Sequence, residues 1–220
     1  MELNIRMEKK ADFRWVEVLT RDAFWNVYVP GCMEHYLVHK LRKSKDFIPE
    51  LSMVAELDGQ VVGHIAYTRA SLTGADGACR EVLCFGPLSV RPSRQKTGIG
   101  SALIRTSLRR AKELGYKVVC IMGNPAYYSR FGFRCGERFE VTTADGRYAP
   151  ALQVLELVPG ALAEGGCFKE SPDFDIDMEG FGAFEAKFEP RKPGHTLSQD
   201  TFAVLSGLMY HIGDTGYLTD

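Results

Sequence analysis

The sequence lacks long hydrophobic runs and has no excess of charge of one sign. Its 220 residues include 27 Lys and Arg against 28 Asp and Glu, which gives a formal net charge of −1. No apolar stretch approaches the ~20 residues that a membrane-spanning helix needs, so we expect no membrane association. A dedicated nucleic-acid binder is usually basic, so the balanced charge argues against that class as well.

The sequence also lacks an N-terminal targeting segment and paired cysteines. Its first residues, MELNIRMEKKADFRW, carry charge throughout and contain no apolar stretch of the signal-peptide type. None of the six cysteines forms a CxxC pair, and Cys84 and Cys120 lie in apolar runs where a free cysteine behaves as a small hydrophobic residue. Neither a disulfide framework nor a metal site is therefore expected, and we predict a reduced, cytoplasmic protein.

The hydrophobic pattern predicts an α/β (α+β) protein. Alternating or continuous apolar runs predict strands over residues 3–7, 51–57, 60–70, 79–90, 117–122 and 151–158. Helical spacing predicts helices over residues 13–24, 32–43 and 99–114. The succession of strand, helix and strand between residues 79 and 122 is a βαβ unit, which implies parallel pairing at the centre of the sheet.

The composition changes after Pro159, where the chain becomes rich in Gly, Phe and acidic residues. We therefore predict one domain over residues 1–158 and a C-terminal extension over residues 159–220. The phenylalanines of the extension are expected to pack it onto the core or onto a second subunit, so a homodimer is an open alternative.

A glycine-rich turn, QKTGIG at residues 95–100, lies between the predicted strand 79–90 and the predicted helix 99–114. Such a turn lets backbone N–H groups converge on an anion at a helix N-terminus, and Arg91, Arg94 and Lys96 add positive charge nearby. The turn matches neither the P-loop nor the dinucleotide fingerprint. It is either a phosphate cradle or a turn that only lets strand and helix pack.

A second segment, NPAYYSRFGF at residues 124–133, follows the predicted strand 117–122. Asn124 is a good N-cap and Pro125 suits the first helical position, so a short helix is expected at the end of a parallel strand, where α/β sheets bind ligands. Alternatively, Asn124 is only a cap, and Tyr127 and Tyr128 only pack in the core.

Together the two segments resemble the acetyl-CoA-binding core of the GNAT superfamily of N-acetyltransferases. The family's loop, Q/R-x-x-G-x-G/A, is matched by Gln95, Gly98 and Gly100, and its later signature by Asn124, Tyr128 and the Gly-Phe pair at residues 132–133. The resemblance covers roughly residues 1–158, and the phrases GPLSVRP and NPAYYSRFGF are similar to a bacterial subgroup of uncharacterised members. It implies a mixed central sheet of about six to seven strands flanked by helices.

The resemblance also implies an activity and its residues. It implies transfer of an acetyl group from acetyl-CoA, as cosubstrate and without a metal, to a primary amine that attacks directly in a ternary complex. Tyr128 would be the general acid that protonates the leaving thiolate, and Asn124 would contact the pantetheine. Backbone groups would hold the rest of the cofactor: the pantetheine at Leu88, Ser89 and Val90, and the pyrophosphate at Gln95, Lys96, Thr97, Gly98, Ile99, Gly100 and Ser101.

The general base is the point at which this sequence departs from the family. Many members have a Glu on the fourth strand, and the aligned residue here is Cys84. Glu81 is the nearest carboxylate, although the alternation of a strand directs it to the opposite face, and His64 on the preceding strand is a further candidate. A water relay, or attack by an amine that is already neutral, stays open.

Two features of the function are not fixed by the sequence. The acceptor could be a small amine, an antibiotic, an amino acid, or a protein N-terminus or lysine. The chain could also be a catalytically weak module that senses acyl-CoA or regulates a partner; the presence of Tyr128 favours the enzyme, and the missing strand carboxylate keeps the alternative open.

Overall fold

The computed structural model describes residues 2–162 and 164–211 as strands and helices around one sheet. The strands are β1 (Leu3–Met7), β2 (Met53–Leu57), β3 (Gln60–Thr73), β4 (Cys79–Val90), β5 (Val118–Met122), β6 (Arg134–Cys135), β7 (Val141–Thr142), β8 (Leu152–Glu156) and β9 (Gly166–Lys169). The helices are α1 (Phe13–Phe24), α2 (Glu34–Leu41), α3 (Ile99–Glu113), α4 (Pro125–Tyr128), α5 (Met178–Glu185) and α6 (Leu197–Gly207). The last residues of the extension and Ala163 lie outside this description.

The sheet is mixed, and this confirms the predicted fold class. Its main path runs β1-β2-β3-β4-β5-β8-β6, with β7 and β9 branching from it. The β4–β5 pair is parallel, because α3 carries the chain back across the sheet, and this confirms the predicted βαβ unit. The described strands outnumber the expected six or seven because β7 is too short to have a periodicity and β9 comes from the extension.

The fourth strand is interrupted by a bulge. Ile65 of β3 faces Leu88 of β4, and Tyr67 faces Phe85, so the two residues at 86–87 lie opposite Ala66 alone. The Gly-Pro pair at residues 86–87 explains this irregularity, because Pro cannot donate to the ladder and Gly in a strand often marks a bulge. A bulge bends the strand that carries it, and the described pairing of β4 with β5 lies before this point, at Leu83 and Val119.

The sheet is covered on both faces by apolar side chains. On one face, Leu83 and Phe85 of β4 pack with Ile99 and Leu103 of α3. On the other face, the buried apolar side chains include two strand cysteines, Cys84 of β4 and Cys120 of β5. All six cysteines are free. The two strand cysteines therefore act as the small hydrophobic residues that the sequence predicted.

The extension packs on the core of its own chain. Strand β9 continues the sheet by pairing with the end of β3, with Lys169 opposite Ser71 and Cys167 opposite Thr73. Helix α5 lies against α2, where Phe184 and Phe188 surround the ring of His35. Among the described residues, no helix has both the length and the apolar composition required to cross a membrane.

An ion pair joins the extension to α1. Arg21 is only 3% exposed, and its guanidinium binds the carboxylate of Glu185 at the end of α5. The other carboxylate oxygen of Glu185 lies 2.7 Å from Nε2 of His35, which is fully buried. A buried cation whose counter-charge is removed is strongly destabilising, so Glu185 is expected to stabilise the docked extension.

We predict that Glu185→Ala lowers the free energy of unfolding by about 3 kcal/mol, because it leaves Arg21 buried without a carboxylate. Denaturant unfolding measures the change. Glu179→Ala on the exposed side of the same helix is the control, with a change within about 0.5 kcal/mol. Equal effects of the two substitutions would contradict this role of Glu185.

Candidate active site

A cavity of about 770 Å³ opens where β4 and β5 diverge. Within the part of the chain that the structure describes, the two strands pair at a single position, Leu83 with Val119. Beyond that pair, the edge of β4 at residues 88–90 has no neighbour on the β5 side. The walls of the cavity come from the end of α1 and the loop after it, the end of β4, the start of α3, and α4; the lining residues are Ala23, Phe24, Val27, Tyr28, Leu88, Val90, Arg94, Gln95, Lys96, Gly98, Gly100, Ser101, Asn124, Tyr127, Tyr128 and Arg130.

One end of the cavity is a cradle of backbone amides at the N-terminus of α3. The first bond of the helix runs from the N–H of Ala102 to the carbonyl of Gly98, so the amides of residues 99–101 have no intrahelical acceptor. Gly98 has a φ of +93°, a backbone conformation that is unfavourable for a residue with a side chain. A Cβ at Gly100 would lie 3.0 Å from the hydroxyl of Tyr127. The glycines keep this helix end open, which fits a bound diphosphate.

Full charges at this end have the sign that an anion requires. Arg94, Lys96 and Arg130 all line the cavity. The guanidinium of Arg130 lies 4.8 Å from the centre of the Tyr127 ring, which holds it beside α4. The helix dipole and the side-chain charges therefore both favour an anion at this end of the cavity.

The structure brings most of the predicted cofactor residues into this one cavity. Three others have side chains elsewhere: Ser89 is buried and its hydroxyl lies 2.8 Å from that of Thr20, Ile99 packs in the core, and the Thr97 hydroxyl donates to the carbonyl of Arg94. Their expected roles use backbone groups and stay predictions.

Glu81 does not reach the cavity. It lies near the start of β4, its side chain is 54% exposed, and it is 3.4 Å from Nε of Arg69. His64 is fully buried under the first helices, with Nε2 3.3 Å from the hydroxyl of Ser52. Neither of these sequence-derived base candidates lines the cavity with Tyr128.

Helix α4 fixes Tyr128 at the inner wall. Asn124 is the N-cap, as the sequence predicted: its side-chain oxygen accepts from the N–H of Ala126 at 2.9 Å. The Tyr128 ring packs against those of Phe85 and Phe133. Burial raises the pKa of Tyr128 well above its ordinary value, so its hydroxyl is a proton donor throughout the neutral range.

Glycine at position 123 makes room for that ring. A Cβ there would overlap the edge of the Tyr128 ring. The N–H of Gly123 donates to the carbonyl of Ala151 at 2.7 Å, which limits how far the backbone can move. The position of Tyr128 therefore depends on a residue that the sequence motifs did not single out.

Sequence reasoning also missed the wall formed by α1 and its following loop. Tyr28 lines the cavity, and its ring stacks on Phe202 of α6 with 4.5 Å between ring centres. Tyr128 lines the same cavity. The spacing of Phe24 and Tyr28, four residues apart at a helix end, was the available signal.

A gap between parallel strands, free amides at a helix N-terminus and a tyrosine hydroxyl in one cavity form a site that suits a transferase using a coenzyme A thioester. In residues 2–162 and 164–211, no group of three or more His, Cys, Asp or Glu side chains is arranged to hold a metal ion. The chemistry that the described residues offer is anion binding and proton transfer.

Comparison with known proteins identifies the family. The family model for the acetyltransferase (GNAT) domain matches residues 49–135. The uncharacterised N-acetyltransferase YhbS of Escherichia coli (strain K12) is 31% identical over 159 residues, which cover 72% of this chain and 89% of YhbS. The uncharacterised N-acetyltransferase YjhQ of the same strain is 38% identical over 98 residues, which cover 44% of this chain and 53% of YjhQ, about half of that relative's length.

Solved structures agree with this result. A GNAT family acetyltransferase from Brucella melitensis in complex with acetyl-CoA is 31% identical, with a TM-score of 0.63 over 79% of this chain and 99% of that one. YhbS from Escherichia coli in complex with CoA is 28% identical, with a TM-score of 0.71 over 80% of this chain and 93% of that one. The chain belongs to the GNAT family of N-acetyltransferases, which transfer an acetyl group from acetyl-CoA to an amine. The family resemblance and the choice of acetyl-CoA as cosubstrate are therefore confirmed.

We predict that Gly123→Ala lowers the rate of acetyl transfer at least about tenfold, because the new methyl group displaces the Tyr128 ring from the cavity wall. The matched control is Gly182→Ala, where a Cβ has no neighbour within 4 Å. Release of the CoA thiol measures the rates, and the aromatic circular dichroism of each variant reports the ring's environment. An unchanged rate for Gly123→Ala would contradict the required position of Tyr128.

Proposed function

We propose that the chain acetylates a primary amine by direct attack on acetyl-CoA in a ternary complex, with Tyr128 as the general acid. The observation that carries the proposal is that the amide cradle of α3 and the desolvated hydroxyl of Tyr128 line the same cavity. The acceptor is a small-molecule or peptide amine.

The cofactor would lie along the gap between β4 and β5. The amides of residues 99–101 and the cations around them would hold the diphosphate, and the free edge of β4 at residues 88–90 would pair with the pantetheine as a neighbouring strand does. Asn124 would contact the same arm. These contacts would orient the thioester at the inner end of the cavity, where Tyr128 is fixed by α4.

The acid step follows from the state of Tyr128. As the amine nitrogen forms its bond to the acyl carbon, the C–S bond breaks and the sulfur takes a proton from the Tyr128 hydroxyl. Desolvation keeps that hydroxyl protonated until a full negative charge develops on a nearby atom. The Tyr128 hydroxyl in the cavity supports a catalytic enzyme over the alternative of an acyl-CoA sensor, which needs no proton donor at this position.

We predict that Tyr128→Phe lowers kcat by about 10² to 10⁴-fold while the Kd for acetyl-CoA stays within about twofold, because only the donated proton is lost. Steady-state thiol release on an accepted amine and calorimetric titration measure the two quantities. Tyr116→Phe, at a tyrosine outside the cavity, is the control. A kcat unchanged by Tyr128→Phe would show that another group, or water, protonates the sulfur.

Gly100→Val tests the cradle. We predict that millimolar acetyl-CoA raises the Tm of the unaltered chain, since a ligand that binds only the folded state stabilises it by about 2.7 kcal/mol at 100 times its Kd. The valine side chain would cover the amides of α3, so the Kd should rise at least about tenfold.

Gly182→Val places the same side chain in α5, where the space around the Cβ is open, and is expected to keep the full shift. An undiminished shift for Gly100→Val would contradict the position of the diphosphate.

A further inference from the structure

The two neighbouring tyrosines of α4 have different surroundings. Their ring planes are perpendicular, with 5.0 Å between the ring centres. The Tyr128 ring packs on Phe85 and Phe133 at the inner wall, whereas the Tyr127 ring packs on Phe131. Both side chains line the cavity. One short helix therefore supplies two hydroxyl groups to the cavity, and only that of Tyr128 has a role in the proposed acid step.

The Tyr127 hydroxyl lies at the N-terminus of α3. Its oxygen is 3.0 Å from the position that a Cβ of Gly100 would occupy. The Cβ and the amide nitrogen of a residue are bonded to the same Cα, so the hydroxyl lies beside the backbone of Gly100 in the amide cradle. The amides of residues 99–101 have no acceptor within the helix. An anion bound by these amides is therefore close to the Tyr127 hydroxyl.

In the described part of the chain, no protein group forms a hydrogen bond with the Tyr127 hydroxyl. A tyrosine hydroxyl that packing shields from water usually has a partner, as that of Tyr67 has in Ser107, with 2.8 Å between the two oxygens. The Tyr127 side chain is half-buried and faces the cavity. A phenol can donate one hydrogen bond, which is what a phosphate oxygen accepts.

A positive charge is held against the same ring. Arg130 follows Tyr127 by three residues, and its guanidinium lies 4.8 Å from the centre of the Tyr127 ring, a cation–π distance. Arg130 also lines the cavity. The chain from 127 to 130 thus presents a hydroxyl donor and a cation to one cavity, and hydrogen bonds to a charged acceptor are about twice as strong as those between neutral groups.

We propose that Tyr127 is a cosubstrate-binding residue whose hydroxyl donates a hydrogen bond to the diphosphate at the N-terminus of α3, with Arg130 over its ring as the accompanying positive charge. The inference rests on the proposed function, which puts the CoA diphosphate at this helix. It adds two side chains to a cradle otherwise made of backbone amides. Diphosphate binding and the position of the proton donor, Tyr128, then depend on the same short helix.

Tyr127→Phe tests the hydroxyl and keeps the ring, so a role in packing alone predicts no change in ligand binding. We expect the Kd for CoA, measured by calorimetric titration, to rise at least about tenfold, because a hydrogen bond to a charged group is lost. Tyr116→Phe, at a tyrosine outside the cavity, is the control and is expected to leave the Kd within about twofold. A Kd that Tyr127→Phe leaves unchanged would overturn the proposal.

Arg130→Gln tests the charge at an exposed position, where the substitution leaves the core intact. We expect the Kd for CoA to rise at least about threefold, and the loss to shrink in high salt. Arg105→Gln is the matched control: Arg105 is also exposed and lies 5.3 Å from the centre of an aromatic ring, that of Phe131, but it does not line the cavity. Equal effects of the two substitutions would overturn the proposed pairing of Tyr127 with Arg130.

Two truncated ligands locate the contact. Dephospho-CoA keeps the diphosphate and lacks the 3′-phosphate, so Tyr127→Phe is expected to weaken it by the same factor as CoA. A loss confined to CoA would place the hydroxyl at the 3′-phosphate and overturn the assignment. Pantetheine carries no phosphate, so we expect it to compete with CoA equally in the unaltered chain and in Tyr127→Phe. Weaker competition by pantetheine in Tyr127→Phe would place the hydroxyl at the pantetheine and also overturn the assignment.

Kinetics separate this inference from the function on which it rests. On an accepted amine, Tyr127→Phe is expected to raise the KM for acetyl-CoA at least about tenfold and to keep kcat within about twofold, the opposite of the result expected for Tyr128→Phe. If the unaltered chain acetylates the amine and Tyr127→Phe keeps both Kd and KM, only the role of Tyr127 fails. If CoA binding depends on Tyr127 but no amine is acetylated, the proposed function fails and the phosphate contact stands.

Discussion

The site depends on one constraint, the failure of β4 and β5 to stay paired. Among the described residues they meet only at Leu83 and Val119, and the bulge opposite Ala66 follows directly after that pair. Unpaired strand edges inside a sheet are costly unless another group satisfies them. A pantetheine arm carries amides that can do so, and the gap therefore suits the cosubstrate that the family uses.

Space in the cavity is made by glycines, and polarity by the ends of helices. Gly100 leaves the amides of α3 accessible, and Gly123 leaves room for the Tyr128 ring. Around these openings, the Tyr128 ring packs on Phe85 and Phe133, and burial raises the pKa of its hydroxyl. One end of the cavity thus favours negative charge, and the other keeps a neutral proton donor, which is the polarity that a CoA thioester requires.

What could be predicted from the sequence is what local patterns encode. Strand and helix periodicity predicts the βαβ unit, and the residues around Asn124 predict a cap and a short helix, because both depend on neighbours along the chain. The base could not be located in this way. Glu81 belongs to β4, which pairs with the strand that leads to Tyr128, but it lies at the far, exposed end of β4. Tyr28 is a hundred residues from Tyr128 along the chain and lines the same cavity. Only tertiary packing brings such residues together.

The extension is connected to the chemistry through α1. Arg21 is held by Glu185 of α5, and within the same helical turn α1 reaches Ala23 and Phe24, which line the cavity. Further along, Phe202 of α6 stacks on Tyr28. A displacement of α5 or α6 must therefore act on the wall formed by α1, and the contact of Thr20 with Ser89 carries it on to β4. The segment with the least local signal in the sequence is thus coupled to the walls of the cavity through α1.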